Sequence, residues 1–445
     1  MAGDRALARV GDLNGGRTEA AAGNARGAAG GGAFADHPIG VIQDWIESMG
    51  TEWMVRLRAA ALTVLLLAGC SAPRVPFTAE EQAAAQVPGM HDIRFWADTP
   101  PDALRPRAQE LARSEVLRTS PNFDLLALSG GGADGAFGAG FLTGWSEAGD
   151  RPEFTVVTGV SVGALIAPFA FLGPSRDRDL RAVFAEGAAG ELAQFRGPAG
   201  LLGSGLVRPE PLRDLIARYA DERMLADVAA EHARGRRLLV LTTNLDAQRA
   251  VIWDLGAIAT SGHPRALGLF RSALAASASV PGVFPPVMIE VEAFGRRFSE
   301  MHVDGGVTGN LLVVPEALLR SHQRLFPHPR PGRLFVLMNN TIEPDFGVVE
   351  NGTLQVAARA FSTAVSTNTG TVLRGAYGFA RRHGLEFNLA RIVLEHPGAI
   401  ALRFDQGHMR RLFEHGYESG RRRDRWEREL PLLRAQEPGV HRRAS

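Results

Sequence analysis

Apolar residues along this chain gather in short, dense runs that stop at glycine or serine. Phe123 to Leu128 is one such run, closing on Ser129 and a string of glycines. Phe154 to Val160 is another, passing Gly159 and closing on Ser161. Runs of this length, bounded by turn residues, predict strands buried on both faces. Arg236 to Leu241, Ala250 to Trp253, Arg296 to Val303 and Arg333 to Met338 read as further strands. The helical period appears at Ala164 to Leu172, Leu212 to Tyr219 and Ala266 to Ala278. Pro168 is expected early in the first of these helices, where a missing N–H matters least. Strands alternating with helices predict a layered α/β fold with a mostly parallel sheet. Beyond about residue 345 the pattern turns helical, with Leu354 to Arg382 and Met409 to Leu430 as the expected helices. No internal repeat interrupts this order.

The first seventy residues differ in kind. Residues 1–53 are rich in Gly and Ala without a sustained apolar period, and predict an extension that does not fold alone. Met54-Val55-Arg56-Leu57-Arg58, the apolar stretch Ala59 to Leu67 and then Ala68-Gly69-Cys70 form a positive start, a short apolar core and a small-residue exit. Those are the parts of a secretory signal peptide, and the core is far short of the ~20 residues that span a bilayer. Leu67-Ala68-Gly69-Cys70 resembles the bacterial lipobox, which implies a lipid-modified Cys70 holding the chain at the cell envelope. Ser71, in place of an aspartate, then implies the outer membrane of a Gram-negative host. Because the signal begins at Met54, translation is expected to start there; native peptides from upstream would contradict this. The plainer alternative is a buried helix with an incidental core cysteine. The expected organisation is therefore an extension (1–53), a signal peptide (54–69), a tether with short surface helices broken by proline pairs (70–122), the main α/β domain (123–320), and a last strand with a helical extension (321–445).

Composition narrows the classes. With 45% hydrophobic and 22% charged residues in 445, the chain is neither polytopic in a membrane, collagen-like nor wholly disordered. Forty-nine basic residues, every one an arginine, face 48 acidic ones, and a net charge of +1 makes no case for nucleic acid. The single cysteine excludes an intramolecular disulfide and a cysteine-based zinc cluster. No metal-binding motif is present, and no cofactor is expected.

Chemistry concentrates in three places. Gly159-Val160-Ser161-Val162-Gly163 fits G-x-S-x-G between a strand-like and a helix-like run, the setting of a nucleophile elbow. Gly159 and Gly163 let the backbone bend there so that the Ser161 hydroxyl stays exposed. Ser129-Gly130-Gly131-Gly132-Ala133-Asp134-Gly135 follows the first strand, and consecutive glycines let main-chain N–H groups converge on an anion. The same stretch satisfies G-x-G-x-x-G, yet the next strand ends in Ser161 where a dinucleotide site needs an acidic residue. An oxyanion hole from the amides of Gly130, Gly131 and Gly132 explains the glycines better. Asp304-Gly305-Gly306 closes a strand-like segment and offers a carboxylate, exposed at a strand end, as base. Read alone, it fits an ordinary Asp-Gly turn better than a catalytic base.

These motifs, with Ala275-Ala276-Ser277-Ala278-Ser279-Val280-Pro281-Gly282-Val283-Phe284-Pro285-Pro286 between them, resemble the patatin-like phospholipase family in order and context over roughly residues 123–320. The resemblance implies a three-layer patatin-like fold and a Ser161–Asp304 dyad, with Asp304 taking the Ser161 proton directly and an acyl-enzyme formed on Ser161. It implies a lipid or acyl-ester substrate of the phospholipase A or lysophospholipase kind, and calcium-independent hydrolysis. Where the family often carries Arg or Lys late in the glycine loop, this chain has Asp134, which brings no positive charge to a lipid phosphate.

Other readings stand beside this one. A Ser-His-Asp triad would need one of His322, His328, His383, His396, His408, His415 or His441, each of which lies in a stretch without a motif; most of these stretches are polar. His302, two residues before Asp304, is expected as a packed strand histidine. An acyltransferase would use the same acyl-enzyme, and an envelope lipoprotein could keep the scaffold without catalysis. The stretch around Pro198 and Leu201 to Leu206 reads as a lid. The arginine-rich end from Arg421 reads as a solvated helix face, since Asp424, Glu427 and Glu429 interleave it.

Overall fold

The computed structural model describes residues 53–56, 58, 74–190, 192, 194–197, 204–313, 332–342, 346–393 and 404–431. Chain contacts separate two units, Met1–Cys70 and Ser71–Ser445. In the first, residues 53–56 and 58 are helical. Cys70 and the rest of the predicted signal lie outside the described residues, as do 198–203 of the expected lid and His322, His328, His396 and His441.

The second unit is built on a nine-stranded sheet. Its strands are β1 (Arg94–Trp96), β2 (Phe123–Leu128), β3 (Val156–Val160), β4 (Arg237–Asn244), β5 (Arg249–Asp254), β6 (Val287–Ala293), β7 (Arg296–Asp304), β8 (Gly332–Met338) and β9 (Glu386–Arg391). The order is β1-β5-β4-β3-β2-β8-β9, with β7 paired to both β4 and β6. The five central strands, β4 through β9, run parallel, and the antiparallel pairs form one rim. Register aligns Leu128 with Gly159 and with Leu337, and Val160 with Leu241. The carboxyl ends of β2, β3, β4 and β8 therefore finish side by side, the place where open α/β sheets hold their ligands.

Helices cover both faces and make three layers. Those used below are α1 (Arg105–Arg113), α2 (Gly135–Glu147), α3 (Val162–Leu172), α4 (Glu210–Tyr219), α5 (Ala266–Ser277), α6 (Thr353–His383) and α7 (Gln406–Arg421). One core joins Phe137, Phe141, Ile166, Leu212, Phe270 and Phe413 from α2, α3, α4, α5 and α7. The other joins Leu111 of α1 with Leu373, Ala376 and Phe379 of α6. Each large side chain so buried contributes roughly 1.5–3 kcal/mol. Asp124, inside the apolar run of β2, is buried because Arg333 on neighbouring β8 grips it through two hydrogen bonds of 2.6 and 2.7 Å.

Helices α2 and α7 run parallel along a glycine seam. A Cβ at Gly140 would stand 2.0 Å from the Phe413 carbonyl oxygen, and one at Gly416 would stand 2.1 Å from that of Phe137. Gly144 and Gly420 repeat the approach one turn on. Only glycine allows backbones this close, and the seam brings the N-terminus of α7 to the glycine loop that opens α2.

Several expectations are corrected. Pro168 stands in the middle of α3, not in its first turn, where it removes the N–H that would reach the Ala164 carbonyl. Helix α7 ends at Arg421 instead of Leu430, since Arg422 turns extended. The region read as helical after residue 345 also contains β9, which pairs with β8. Strand β6 alternates buried and exposed positions, so its apolar density was too low to mark it.

Candidate active site

Ser161 is the single residue between β3 and α3, with φ 54° and ψ −126°. A serine in that region is strained by about 1–3 kcal/mol, so the surroundings must hold it. Space dictates the two flanking glycines. A Cβ at Gly159 would lie 2.5 Å from the Gly163 carbonyl oxygen, and one at Gly163 would lie 2.5 Å from that of Leu128. The Ser161 amide donates to Ser277 Oγ at 3.0 Å, and the Ser277 hydroxyl donates in turn to the Leu241 carbonyl at 2.7 Å.

Asp304 ends β7, opposite Thr242 of β4. Its N–H donates to the Ser279 carbonyl at 2.9 Å, so the C-terminal end of α5 and the turn after it hold both Ser161 and Asp304. The sequence led us to expect an exposed serine and an exposed carboxylate. The structure corrects both: Ser161 is 7% exposed and Asp304 3%. Burial raises the Asp304 carboxyl to about 7, against the lowering effect of hydrogen bonding from the Ser161 side chain and the Gly306 amide. The Gly306 amide takes Oδ1 at 2.7 Å. Oδ2 is buried and has no hydrogen-bond partner among the described residues.

The glycine loop divides its amides. Gly130 N–H donates to the Asn310 carbonyl at 3.0 Å and is therefore occupied, contrary to its expected role as an oxyanion donor. The amides of Gly131 and Gly132 have no acceptor among the described residues. Gly132 takes φ +57°, and a Cβ at Gly131 would overlap the Asn339 carbonyl oxygen at 1.9 Å. Asn339, just past β8, pins the loop by donating its amide to Ser129 Oγ and its Nδ2 to the Ser129 carbonyl, both at 2.8 Å. Neither Asn310 nor Asn339 stands in a sequence motif, and only tertiary contact reveals them.

Among the described residues, the candidate histidines are engaged elsewhere. His302 is fully buried, with Nδ1 3.0 Å from Thr242 Oγ1 and Nε2 2.9 Å from Glu300 Oε2. Burial lowers its pKa against the pull of Glu300. Burial opposes ionisation of Glu300 as well, but the His302 hydrogen bond and the Arg94 charge outweigh it and bring that carboxyl to about 2. His383 packs on Phe379 and His415 on Phe137. His408 sets Nε2 2.8 Å from Asp134 Oδ1. Burial raises the Asp134 carboxyl and His408 opposes the rise.

An apolar pocket opens beside Ser161 and Gly132, walled by Leu165, Val183, Phe184, Leu212, Val280 and Phe284. Its free space is about 30 Å³, room for one small group, so a longer chain enters by displacing these side chains. Strained serine, buried carboxyl, two free amides and an apolar slot suit acyl transfer to serine.

Residues 126–317 match the family model described as Patatin-like phospholipase. Among solved structures, VipD from Legionella pneumophila is similar at 13% identity, with 67% of each chain covered and a TM-score of 0.28. Human GIVD cytosolic phospholipase A2 is similar at 13% identity over 74% of this chain, with a TM-score of 0.27. The match spans 53% of the human enzyme's length. No curated protein is similar to the chain in sequence.

Proposed function

We propose that this chain, which carries a patatin-like phospholipase domain over residues 126–317, is a serine acyl-ester hydrolase acting on lipids through Ser161 and Asp304. Ser161 Oγ attacks the acyl carbonyl carbon while its proton passes to Asp304. The resulting oxyanion is met by the amides of Gly131 and Gly132, each such donor contributing roughly 3 kcal/mol to the transition state. Collapse breaks the ester bond; the leaving alcohol takes the proton from Asp304, and the acyl group stays on Ser161. Water then gives its proton to Asp304 and its oxygen to the acyl carbon, and Ser161 recovers its proton as the fatty acid leaves.

The observation that carries this reading is that the strained Ser161 and the buried Asp304 are both tied to the C-terminal end of α5 and the turn after it, with burial raising the Asp304 carboxyl to about 7. A base poised near neutrality is what proton transfer from a hydroxyl needs. The test is covalent labelling by a fluorophosphonate, alongside hydrolysis of phospholipids, lysophospholipids and neutral esters. We expect labelling and turnover in the wild type and neither in Ser161→Ala. An unlabelled wild type, beside a control hydrolase that reacts, would favour a scaffold without catalysis. We also propose that Cys70 is lipid-modified and holds the enzyme at a bacterial envelope membrane, supported by the lipobox-like Leu67-Ala68-Gly69-Cys70. Loss of membrane association in Cys70→Ala tests it.

A further inference from the structure

Arginines in this protein are commonly committed to carboxylates: Arg94 to Glu300, Arg151 to Asp177, Arg333 to Asp124, Arg425 to Asp150. Arg196, Arg208 and Arg218 are different. All three are exposed, line one open cleft of about 730 Å³, and form no ion pair among the described residues. The cleft is built onto the catalytic pocket. It shares Leu192 and Leu215 with the apolar slot at Ser161. Phe195 and Val207 form an antiparallel bridge that sets Arg196 and Arg208 on paired segments. The Arg196 amide donates to the Leu206 carbonyl and the Arg208 amide to that of Gln194, each at 2.9 Å. Val207 N–H in turn donates to the Val283 carbonyl at 2.9 Å, between Val280 and Phe284 of the slot wall. Arg218 comes from α4, two turns past Glu210, and α4 also supplies Leu212 to the slot.

From this geometry we propose that Arg196, Arg208 and Arg218 receive the phosphate of a glycerophospholipid headgroup whose acyl chain occupies the slot at Ser161. The proposal rests on the hydrolase reading above and names its substrate class. Guanidinium forks match phosphate oxygens through paired, charge-assisted hydrogen bonds. The positive charge missing at Asp134 in the glycine loop is thus supplied from the adjoining cleft. Glu210 and Asp214 line the same cleft and reduce its net charge to one positive, three arginines against two carboxylates. That balance suits a single phosphate joined to an ammonium group and disfavours a polyanion.

The experiment compares kcat/KM on phosphatidylethanolamine in mixed micelles with kcat/KM on a short p-nitrophenyl ester that carries no phosphate. Arg208→Ala combined with Arg218→Ala is expected to lower the ratio of the two about ten-fold. Arg213→Ala, which removes an equal charge from α4 outside the cleft, is expected to leave the ratio unchanged. A ratio unmoved by the double variant, or moved equally by Arg213→Ala, overturns the assignment. A second arm does not depend on turnover: sedimentation of Ser161→Ala with phosphatidylethanolamine micelles. Weaker cosedimentation after Arg208→Ala and Arg218→Ala supports the cleft even if the wild type hydrolyses neither substrate. Glycerol phosphate in solution that binds as tightly as the micelle-borne lipid would make this a free-phosphate site and overturn the headgroup assignment.

Discussion

Ser277 Oγ accepts a hydrogen bond from the Ser161 amide at 3.0 Å and donates one to the Leu241 carbonyl at 2.7 Å, linking the end of α5 to the elbow and to β4. Ser277 lies in the segment resembling the family's helix-to-loop stretch, yet nothing in that pattern assigns its hydroxyl a task. Ser277→Ala leaves a buried N–H and a buried carbonyl unpaired, each worth about 1–3 kcal/mol. We expect kcat to fall about ten-fold, because the strained Ser161 backbone relaxes, and thermal unfolding to shift downward. An unchanged kcat would show the elbow to be held by its glycines alone.

Activity should follow the protonation of Asp304. Below about pH 7 the carboxyl keeps its proton and cannot accept one from Ser161, so kcat/KM rises with pH and levels off above 7. Stability runs the other way. The unfolded carboxyl ionises near 3.8, so between about pH 4 and 7 the folded protein binds more protons and this site's contribution declines as pH rises. Asp304→Asn removes the buried charge. It should abolish turnover while raising stability at pH 8 by on the order of 4 kcal/mol, read from denaturant unfolding.

The Asp134–His408 pair makes a separate forecast. His408→Ala leaves a mostly buried carboxyl beside Gly131 and Gly132 without its partner. We expect a several-fold loss of kcat with little change in KM, because the proposed glycine donors would meet the transition state more than the ground state. Equal effects on kcat and KM would assign the histidine to packing.

The glycine seam is tested by Gly416→Ala. With a Cβ 2.1 Å from the Phe137 carbonyl oxygen, α7 must back away from α2. We expect destabilisation of about 2 kcal/mol or more, measured as a lower melting temperature. Gly378→Ala on α6 serves as comparison, since its Cβ meets only the end of the Arg382 side chain, at 3.3 Å.

What the sequence disclosed follows from the physics of each element. Strand β2 begins and ends where its apolar run does, because a strand buried on both faces reads as a dense apolar run, here broken only by Asp124, which Arg333 pairs. Ser161 and Asp304 stood out because tight backbone turns force glycines around them. Strands β1, β6 and β9 were missed: three residues at a rim, an alternating hairpin arm, and a polar-flanked strand lying between helices. Asn310, Asn339, Ser277 and His408 could not be assigned locally, since each acts across a separation that only the folded sheet closes. That the Gly130 amide is taken by the Asn310 carbonyl was hidden for the same reason.

The seam between α2 and α7 also bears on how this protein can be cut down. Removing everything after residue 400, as one trims an enzyme to its motif-bearing portion, strips the cover from Phe137 and Phe141 and takes Trp426 away from Trp145 and Phe335. The shortened chain would keep every residue proposed for the reaction and yet present a sticky aromatic wall to its neighbours, so a stable minimal version must retain this last helix and Trp426.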